Sequence, residues 1–248
     1  MARARFRVVG ELNDHLPRER RDRWFDCDVF GAPSLKDTIE ALGVPHPEVD
    51  LILVDGRPVP FEAAFPDGAE IEVLPPGIRS DIEPELHLWP EPQVVARLAL
   101  DGHLGALAAI LRMLGFDTWW EREAPDDELA ARSAGEDRIL LTRDRGLLKR
   151  AIVRRGRFVR ALHPADQARE ILERFDLRGQ AKPFTRCLRC NALLQPANAE
   201  QIAHAVPRGV HDRHAEFYAC PGCGRVYWPG SHHTRMTVSV GELLRMPG

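Results

Sequence analysis

Val94-Val95-Ala96-Arg97-Leu98-Ala99-Leu100-Asp101 reads as an apolar strand that ends on a carboxylate. Leu104, Leu107, Ala108, Ile110, Leu111 and Leu114 then recur at helical spacing until Gly115 stops them. Phe116-Asp117-Thr118-Trp119-Trp120 is a second strand, and a helix opens after Pro125, runs through Asp126-Asp127-Glu128-Leu129 to Ser133 and closes at Gly135. Arg138-Ile139-Leu140-Leu141-Thr142 is a further buried strand leading to Asp144. Arg157-Phe158-Val159-Arg160-Ala161-Leu162 is the fourth, followed by a helix from Pro164 to Phe175. Strands separated by helices predict an α/β domain, a mostly parallel sheet with helices on both faces, whose ligands collect at the carboxyl ends of the strands.

That rule singles out the acids. Asp101 and Asp144 each follow an apolar strand, and Asp126 and Asp127 open a helix that could join them at one edge. Converging carboxylates repel unless a divalent cation sits between them, and oxygen-only ligation suits Mg²⁺ or Mn²⁺. Such an ion orients phosphate and lowers the pKa of an attacking water. The bland readings are helix caps for Asp126 and Asp127, a turn before Gly102 for Asp101 and an ion pair with Arg143 or Arg145 for Asp144. Glu128, Asp117 and Asp166 are candidates for a fourth acid, and His103 is a candidate acid, base or ligand beside Asp101.

The chain has 248 residues, 44% of them hydrophobic, which allows two or three domains with their own cores, and no apolar run approaches the roughly 18 residues of a membrane span. A soluble, cytoplasmic protein with no membrane partner is the expectation. The net charge of −3 hides an asymmetry: residues 1–90 carry 10 Lys/Arg against 18 Asp/Glu, whereas residues 91–248 carry 24 against 19. Arg143, Arg145, Lys149, Arg150, Arg154, Arg155, Arg157 and Arg160 crowd into one run with Asp144 as its sole anion. Unopposed cations of this density predict a polyanion, and nucleic-acid phosphate is the expected partner. No Walker-type loop, GxGxxG or GxSxG element is present, which argues against nucleotide hydrolysis, dinucleotide use and serine esterase chemistry.

Residues 1–77 begin with the strand-like alternation Arg5-Phe6-Arg7-Val8-Val9 and continue with a helix over Leu35–Leu42, N-capped by Ser34 and ended at Gly43. Strands over Val49–Val54 and Ala69–Leu74 follow, the first running into the turn Asp55-Gly56. This is a β-grasp order, and the stretch resembles the ubiquitin-like, sulfur-carrier branch of that fold through "DGRPV" and "GAEIEVLPP". Carriers of that kind work through a free terminal Gly-Gly. Here Pro75-Pro76-Gly77-Ile78 continues the chain, so a docking or stabilising domain for a protein partner is expected instead. Residues 78–92, with Pro84, Pro90 and Pro92, read as a linker.

Four of the five cysteines form two knuckles, Cys187-Leu-Arg-Cys190 and Cys220-Pro-Gly-Cys223, with 29 residues between them. Two such pairs complete a tetrahedral Cys₄ site for a structural Zn²⁺, against the alternatives of disulfides or a redox dithiol. A zinc ribbon over residues 181–248 is the expectation, with Tyr227 and Trp228 packing it. Trp89, Trp119 and Trp120 read as core aromatics before base-stacking platforms, and Cys27 as an idle thiol.

The run "LALDGHLGALAAILRMLGFDT", then "DDELAARSAGEDRILLTRDRGLLKR", then the two knuckles, resembles the PIN-like ribonuclease family named for the C-terminal domain of the Mut-seven exonuclease. The resemblance covers about residues 95–230, and a preceding ubiquitin-like domain is an arrangement seen among its members. It implies a PIN-type sheet over residues 93–180, metal-dependent cleavage of RNA phosphodiesters and a C-terminal zinc ribbon. By position it assigns metal-holding acids to Asp101, to Asp127 with neighbouring Asp126, and to Asp144. His103 stands where members place a Met, and Ala106 and Ala109 where many carry Arg. The expected protein is a metal-dependent ribonuclease with Arg143, Arg145, Lys149, Arg150, Arg154 and Arg155 gripping the RNA backbone. The competing class is a non-catalytic nucleic-acid-binding adaptor on a degenerate nuclease domain.

Overall fold

The structure, a computed structural model, describes residues 1–79, 81–89, 96–211 and 213–245. It divides into two compact units, residues 1–94 with 144–158 and residues 95–143 with 159–248.

In the first unit, strand β1 (Ala2–Val8) alternates strictly, with Ala4, Phe6 and Val8 buried while Arg3, Arg5 and Arg7 face outward. Period-two alternation puts the outward arginines on one face, where they meet Asp28, Glu70 and Glu72 on the flanking strands. β2 (Phe25–Val29) pairs antiparallel with β1. Helix α1 (Leu35–Ala41) is fixed by the expected cap, as Asp37 N donates to Ser34 Oγ while the Asp37 carboxylate receives Ser34 N. β3 (Leu51–Val54), β4 (Arg57–Pro58) and β5 (Glu70–Leu74) complete a sheet of order β2-β1-β5-β3-β4, with β1 and β5 parallel. The β3–β4 hairpin turns on Asp55 and Gly56, both at positive φ (48° and 76°), as the Asp-Gly dipeptide demands. This is the expected β-grasp sheet, with β2 and β4 added to the strands read from the sequence.

Beyond β5 the chain folds back instead of ending. Leu88 N donates to Asp50 O at 2.8 Å, the Trp89 indole to Val49 O at 2.9 Å, and His87 Nδ1 lies 2.6 Å from Asp50 Oδ2. Residues 87–89, read as linker, thus pack on the N-terminal domain, and Trp89 lies against its core. Pro90 and Pro92 of that expected linker, like Val94 and Val95 of the first strand read above, lie outside the described residues.

In the second unit, β6 (Arg97–Leu100), β7 (Asp117–Trp120) and β8 (Ile139–Thr142) form a parallel sheet with β6 in the middle. Leu98, Leu100, Ile139 and Leu141 pack into one core with α2 (Gly105–Met113) and the helix Pro164–Arg174. The intervening Ala99 and Leu140 are equally buried and so point to the opposite face, where α3 (Asp126–Gly135) packs on β6 and β8. The fold is α/β with a helix-flanked parallel sheet. The fourth strand expected over Arg157–Leu162 is present but shorter and shifted: it covers Gly156–Phe158, and the amides of Arg160 and Ala161 donate to the Glu170 carboxylate.

The cysteine region adds short strands Gln195–Pro196, Tyr218–Ala219 and Val226–Tyr227, paired antiparallel in that order, and a C-terminal helix Ser231–Leu244 absent from the sequence reading. Val240 and Leu243 of that helix, with Phe184 and Leu188, pack into the core that holds β6 and α2. No described helix is long and apolar enough to cross a membrane.

Candidate functional site

Asp101 occupies the carboxyl end of the central strand. Its amide donates to Leu141 O at 3.0 Å, and its Oδ2 receives the Thr142 hydroxyl at 2.7 Å, so the neighbouring strand fixes both backbone and carboxylate. The glycines that follow are required by close approach. A Cβ at Gly102 would overlap the carbonyl oxygen of Arg122, and one at Gly105 would meet the Trp120 ring at 2.5 Å. Trp120 is thus a packing residue whose indole donates to Gly102 O at 3.1 Å, and Trp119 lies under the Arg132 guanidinium at 4.6 Å.

Asp126 and Asp127 are exposed in the first turn of α3, where a carboxylate also meets the positive end of the helix dipole. Asp144 belongs to the other unit. Its Oδ1 accepts from Gly146 N at 2.6 Å and Leu147 N at 3.4 Å, capping the short helix Arg145–Leu148. His103 is exposed just beyond Asp101.

The candidate fourth acids separate by geometry. Asp117 pairs in register with Arg97 at the start of the parallel strands, while Trp120 pairs with Leu100 at their end. At about 3.3 Å per residue, Asp117 stands more than about 10 Å from the Asp101 edge. It is an ion-pair centre, receiving Arg138 Nη1 at 2.7 Å and Asn191 Nδ2 at 2.9 Å. Burial alone would raise its carboxyl, but those donors outweigh burial and hold it below the usual carboxylate range. Asp166 pairs with Arg169 at 2.6 Å, and Glu128 lies 3.5 Å from Arg132.

The basic run does not form one face. Arg145 donates to Asp14 O at 3.1 Å and lies over the Phe158 ring, Lys149 donates to Glu40 O at 2.6 Å, and buried Arg157 pairs with Glu11. Arg143 lies in the other unit, where it is exposed and donates to Ala161 O at 3.4 Å. Arg154 is exposed, and Arg150 and Arg155 are half-buried.

The cysteines converge. The four Sγ atoms of Cys187, Cys190, Cys220 and Cys223 lie within 4.8 Å of one another, with Cys190 and Cys220 at 3.2 Å and Cys187 and Cys223 at 3.6 Å. A tetrahedron of Zn–S bonds of about 2.3 Å has edges of roughly 3.8 Å, so this cluster fits a metal ion. In the structure all four are free thiols. Among the described residues, this is the group of His, Cys, Asp and Glu whose donor atoms gather so closely. The two knuckles repeat one design: Asn191 N returns to Cys187 O at 3.0 Å and Gly224 N to Cys220 O at 2.9 Å, with both Asn191 and Gly224 at φ +72°. At Cys187 burial opposes ionisation, yet the Tyr227 hydroxyl at 3.1 Å and nearby amides bring the thiol down to about 6. Burial and the Cys190 thiol hold Cys220 up at about 12.

Two residues that sequence reasoning missed tie this cluster to the sheet. Buried Arg112 of α2 donates to Thr118 O at 2.9 Å and to Arg189 O at 2.7 Å, and Asn191 Oδ1 accepts Thr118 N at 2.9 Å on the outer edge of β7. A cation inside the apolar pattern, in the last turn of α2, and an Asn directly after a knuckle were the available signals.

The Mut7-C RNAse domain model matches residues 96–240, and the Mut7-C ubiquitin model matches residues 1–81. The chain belongs to the Mut7-C RNAse domain family. No curated protein matches it. Among solved structures, this Mut7-C chain is similar to the crystal structure of H. volcanii small archaeal modifier protein 1, at 19% identity over 31% of this chain and 99% of that one, with a TM-score of 0.25. The Mut7-C domain indicates a nuclease-related function.

Proposed function

We propose that this Mut7-C protein is a metal-dependent ribonuclease in which Asp101, Asp127 and Asp144, with Asp126 beside them, hold Mg²⁺ or Mn²⁺. The observation that carries the reading is Asp101 at the carboxyl edge of the central parallel strand, oriented by Thr142, in a stretch matched by the RNAse model. The donor set suits such an ion, since carboxylate oxygens alone favour hard divalent cations. When bound, the cation supplies Lewis acidity toward phosphate and lowers the pKa of an attacking water. Thr142 donates to one Asp101 oxygen, and the other would be the one to hold the ion. Arg143, Arg154 and Arg155, with Arg150, are the cations of the basic run proposed to contact the RNA backbone, and Arg145 and Lys149 of the same proposed set act chiefly by holding the segment in place.

The four cysteines are proposed to hold a structural Zn²⁺ in a ribbon that supports nucleic-acid binding, and the N-terminal domain to serve protein contact in the cytoplasm. The division into 1–77, 78–92, 93–180 and 181–248 is proposed as the order in which these functions follow one another along the chain. The test is cleavage of labelled RNA with Mn²⁺, with EDTA, and by Asp101→Asn and Asp144→Asn variants. Loss of cleavage in EDTA and in both variants is expected. Cleavage that persists in all of them overturns the chemistry, and RNA binding without any cleavage by the parent protein replaces it with the adaptor reading.

A further inference from the structure

Residues 144–158 fall inside the RNAse match yet pack with the N-terminal domain. The chain leaves the sheet unit after Arg143 and returns at Val159, and its roots are clasped there by Val159 N donating to Thr142 O at 2.8 Å. The excursion between them seats Leu147, Leu148 and Val153 at 1% exposure or less.

The surface that receives it is built from groups that the β-grasp domain has no reason to bury for itself. The turn Pro45-His46-Pro47-Glu48 places His46 at 3% and Glu48 at 0% exposure. Buried ionisable groups of this kind persist only with partners, and here His15 and Glu40 of the domain and the backbone and Arg157 of the excursion supply them together. Glu48 Oε1 accepts Phe158 N at 2.8 Å and lies 3.7 Å from Arg157, while Glu48 Oε2 faces His15 Nε2 at 2.5 Å. His46 Nε2 donates to Val153 O at 2.7 Å, and its other nitrogen faces Glu40, whose carbonyl takes Lys149. Charge matches as well. The excursion carries Arg145, Lys149, Arg150, Arg154, Arg155 and Arg157 against the single Asp144, and residues 1–90 hold 18 acids against 10 basic residues.

We infer that the N-terminal domain is an intramolecular clamp whose occupant is this excursion of its own chain, and that Glu48 is a positioning residue for Asp144. Asp144 is the excursion's first residue and caps the helix Arg145–Leu148, which Arg145 and Lys149 fasten to the domain. Fixing that helix fixes the carboxylate. A β-grasp domain with this occupant needs no free terminal Gly-Gly, because its working surface lies at the His46–Glu48 turn. The link to Asp144 rests on the ribonuclease reading, whereas the clamp itself does not.

The test uses the full chain with Glu48→Ala, which removes the acceptor of Phe158 N, and the milder Glu11→Gln, which weakens the pairing of Arg157. Amide hydrogen exchange over 145–158 is read by mass spectrometry beside the kinetics of RNA cleavage in Mn²⁺. Exchange over 145–158 is expected to rise about tenfold in Glu48→Ala and about threefold in Glu11→Gln, with β6 and β7 unchanged. kcat is expected to fall by similar factors while KM stays within about twofold. Unchanged exchange over 145–158 in folded variants overturns the clamp, and Glu11→Gln decides the matter if Glu48→Ala does not fold. Faster exchange with unchanged kcat overturns the positioning of Asp144. A parent protein that cleaves no RNA removes the ribonuclease reading and leaves the clamp to be judged by exchange alone.

Discussion

The Thr142 hydroxyl donates to Asp101 Oδ2 at 2.7 Å across two adjacent parallel strands, so a neutral side chain that is fully buried sets the direction of a partly exposed carboxylate. Thr142→Val keeps the volume and removes the donor. Hydrogen bonds to charged groups contribute about 1.5–3 kcal/mol, so kcat for RNA is expected to fall roughly tenfold or more. Steady-state kinetics in Mn²⁺ check this, and a variant as fast as the parent removes Thr142 from the site.

Gly102 is constrained by contact, since its φ is ordinary and any Cβ there would overlap the carbonyl of Arg122. Relief requires the strand end or the 121–123 loop to move, and either motion shifts Asp101. Gly102→Ala is expected to cost about 2 kcal/mol or more in urea unfolding and to lower activity together with stability. An unchanged urea midpoint would show that the loop yields freely.

Much of this was legible because the relevant signals are local. Strand periodicity placed Asp101 and the sheet, the Ser34 box placed α1, and knuckle spacing placed the cysteines. The destination of residues 144–158 was not legible, because a basic run looks the same to a phosphate as to Glu11, Glu40 O and Asp14 O more than a hundred residues away. The helix Ser231–Leu244 was missed for a related reason. Its His232-His233-Thr234 start carries no strong helix former, and Val240 and Leu243 hold it through packing against a distant core.

Asp117 makes acid stability testable. Its carboxyl is held below the ordinary range by Arg138 and Asn191, so its stabilisation is present above about pH 4 and is lost as pH falls through the depressed value. Asp117→Asn is expected to destabilise by about 2 kcal/mol at pH 7, because buried Arg138 loses one of its two charge partners and keeps Glu136 at 2.7 Å. The difference from the parent protein should shrink as pH falls below about 4 and close only below the depressed value, where both carry a neutral group. Denaturant midpoints measured across that range decide it, and a penalty independent of pH would assign the effect to shape alone.

Because Phe184, Leu188, Val240 and Leu243 share the core of β6 and α2, the proposed zinc supports more than the ribbon. One zinc per chain is expected by elemental analysis. Cys220→Ser or chelation should lower the melting temperature by roughly 10 °C or more, since such an ion contributes on the order of 10 kcal/mol. A chain that melts at the same temperature without metal would show that its core folds independently of the cysteines.

Asn191 does two separable things: its φ of +72° turns the chain after Cys190, and its side chain receives Thr118 N and donates to Asp117. Asn191→Gly keeps the left-handed turn and loses both hydrogen bonds, so it isolates the tie between knuckle and strand, expected at about 2 kcal/mol. Asn191→Ala loses the same bonds and adds the cost of a left-handed alanine, about 1–2 kcal/mol more. Chemical unfolding of the two variants with the metal present measures the difference directly. If glycine costs nothing while alanine does, the turn alone matters and the edge of β7 is satisfied without the knuckle. If both cost the same, the backbone relaxes, and the side-chain bonds to Thr118 and Asp117 are what couple the cysteine cluster to the sheet that carries Asp101.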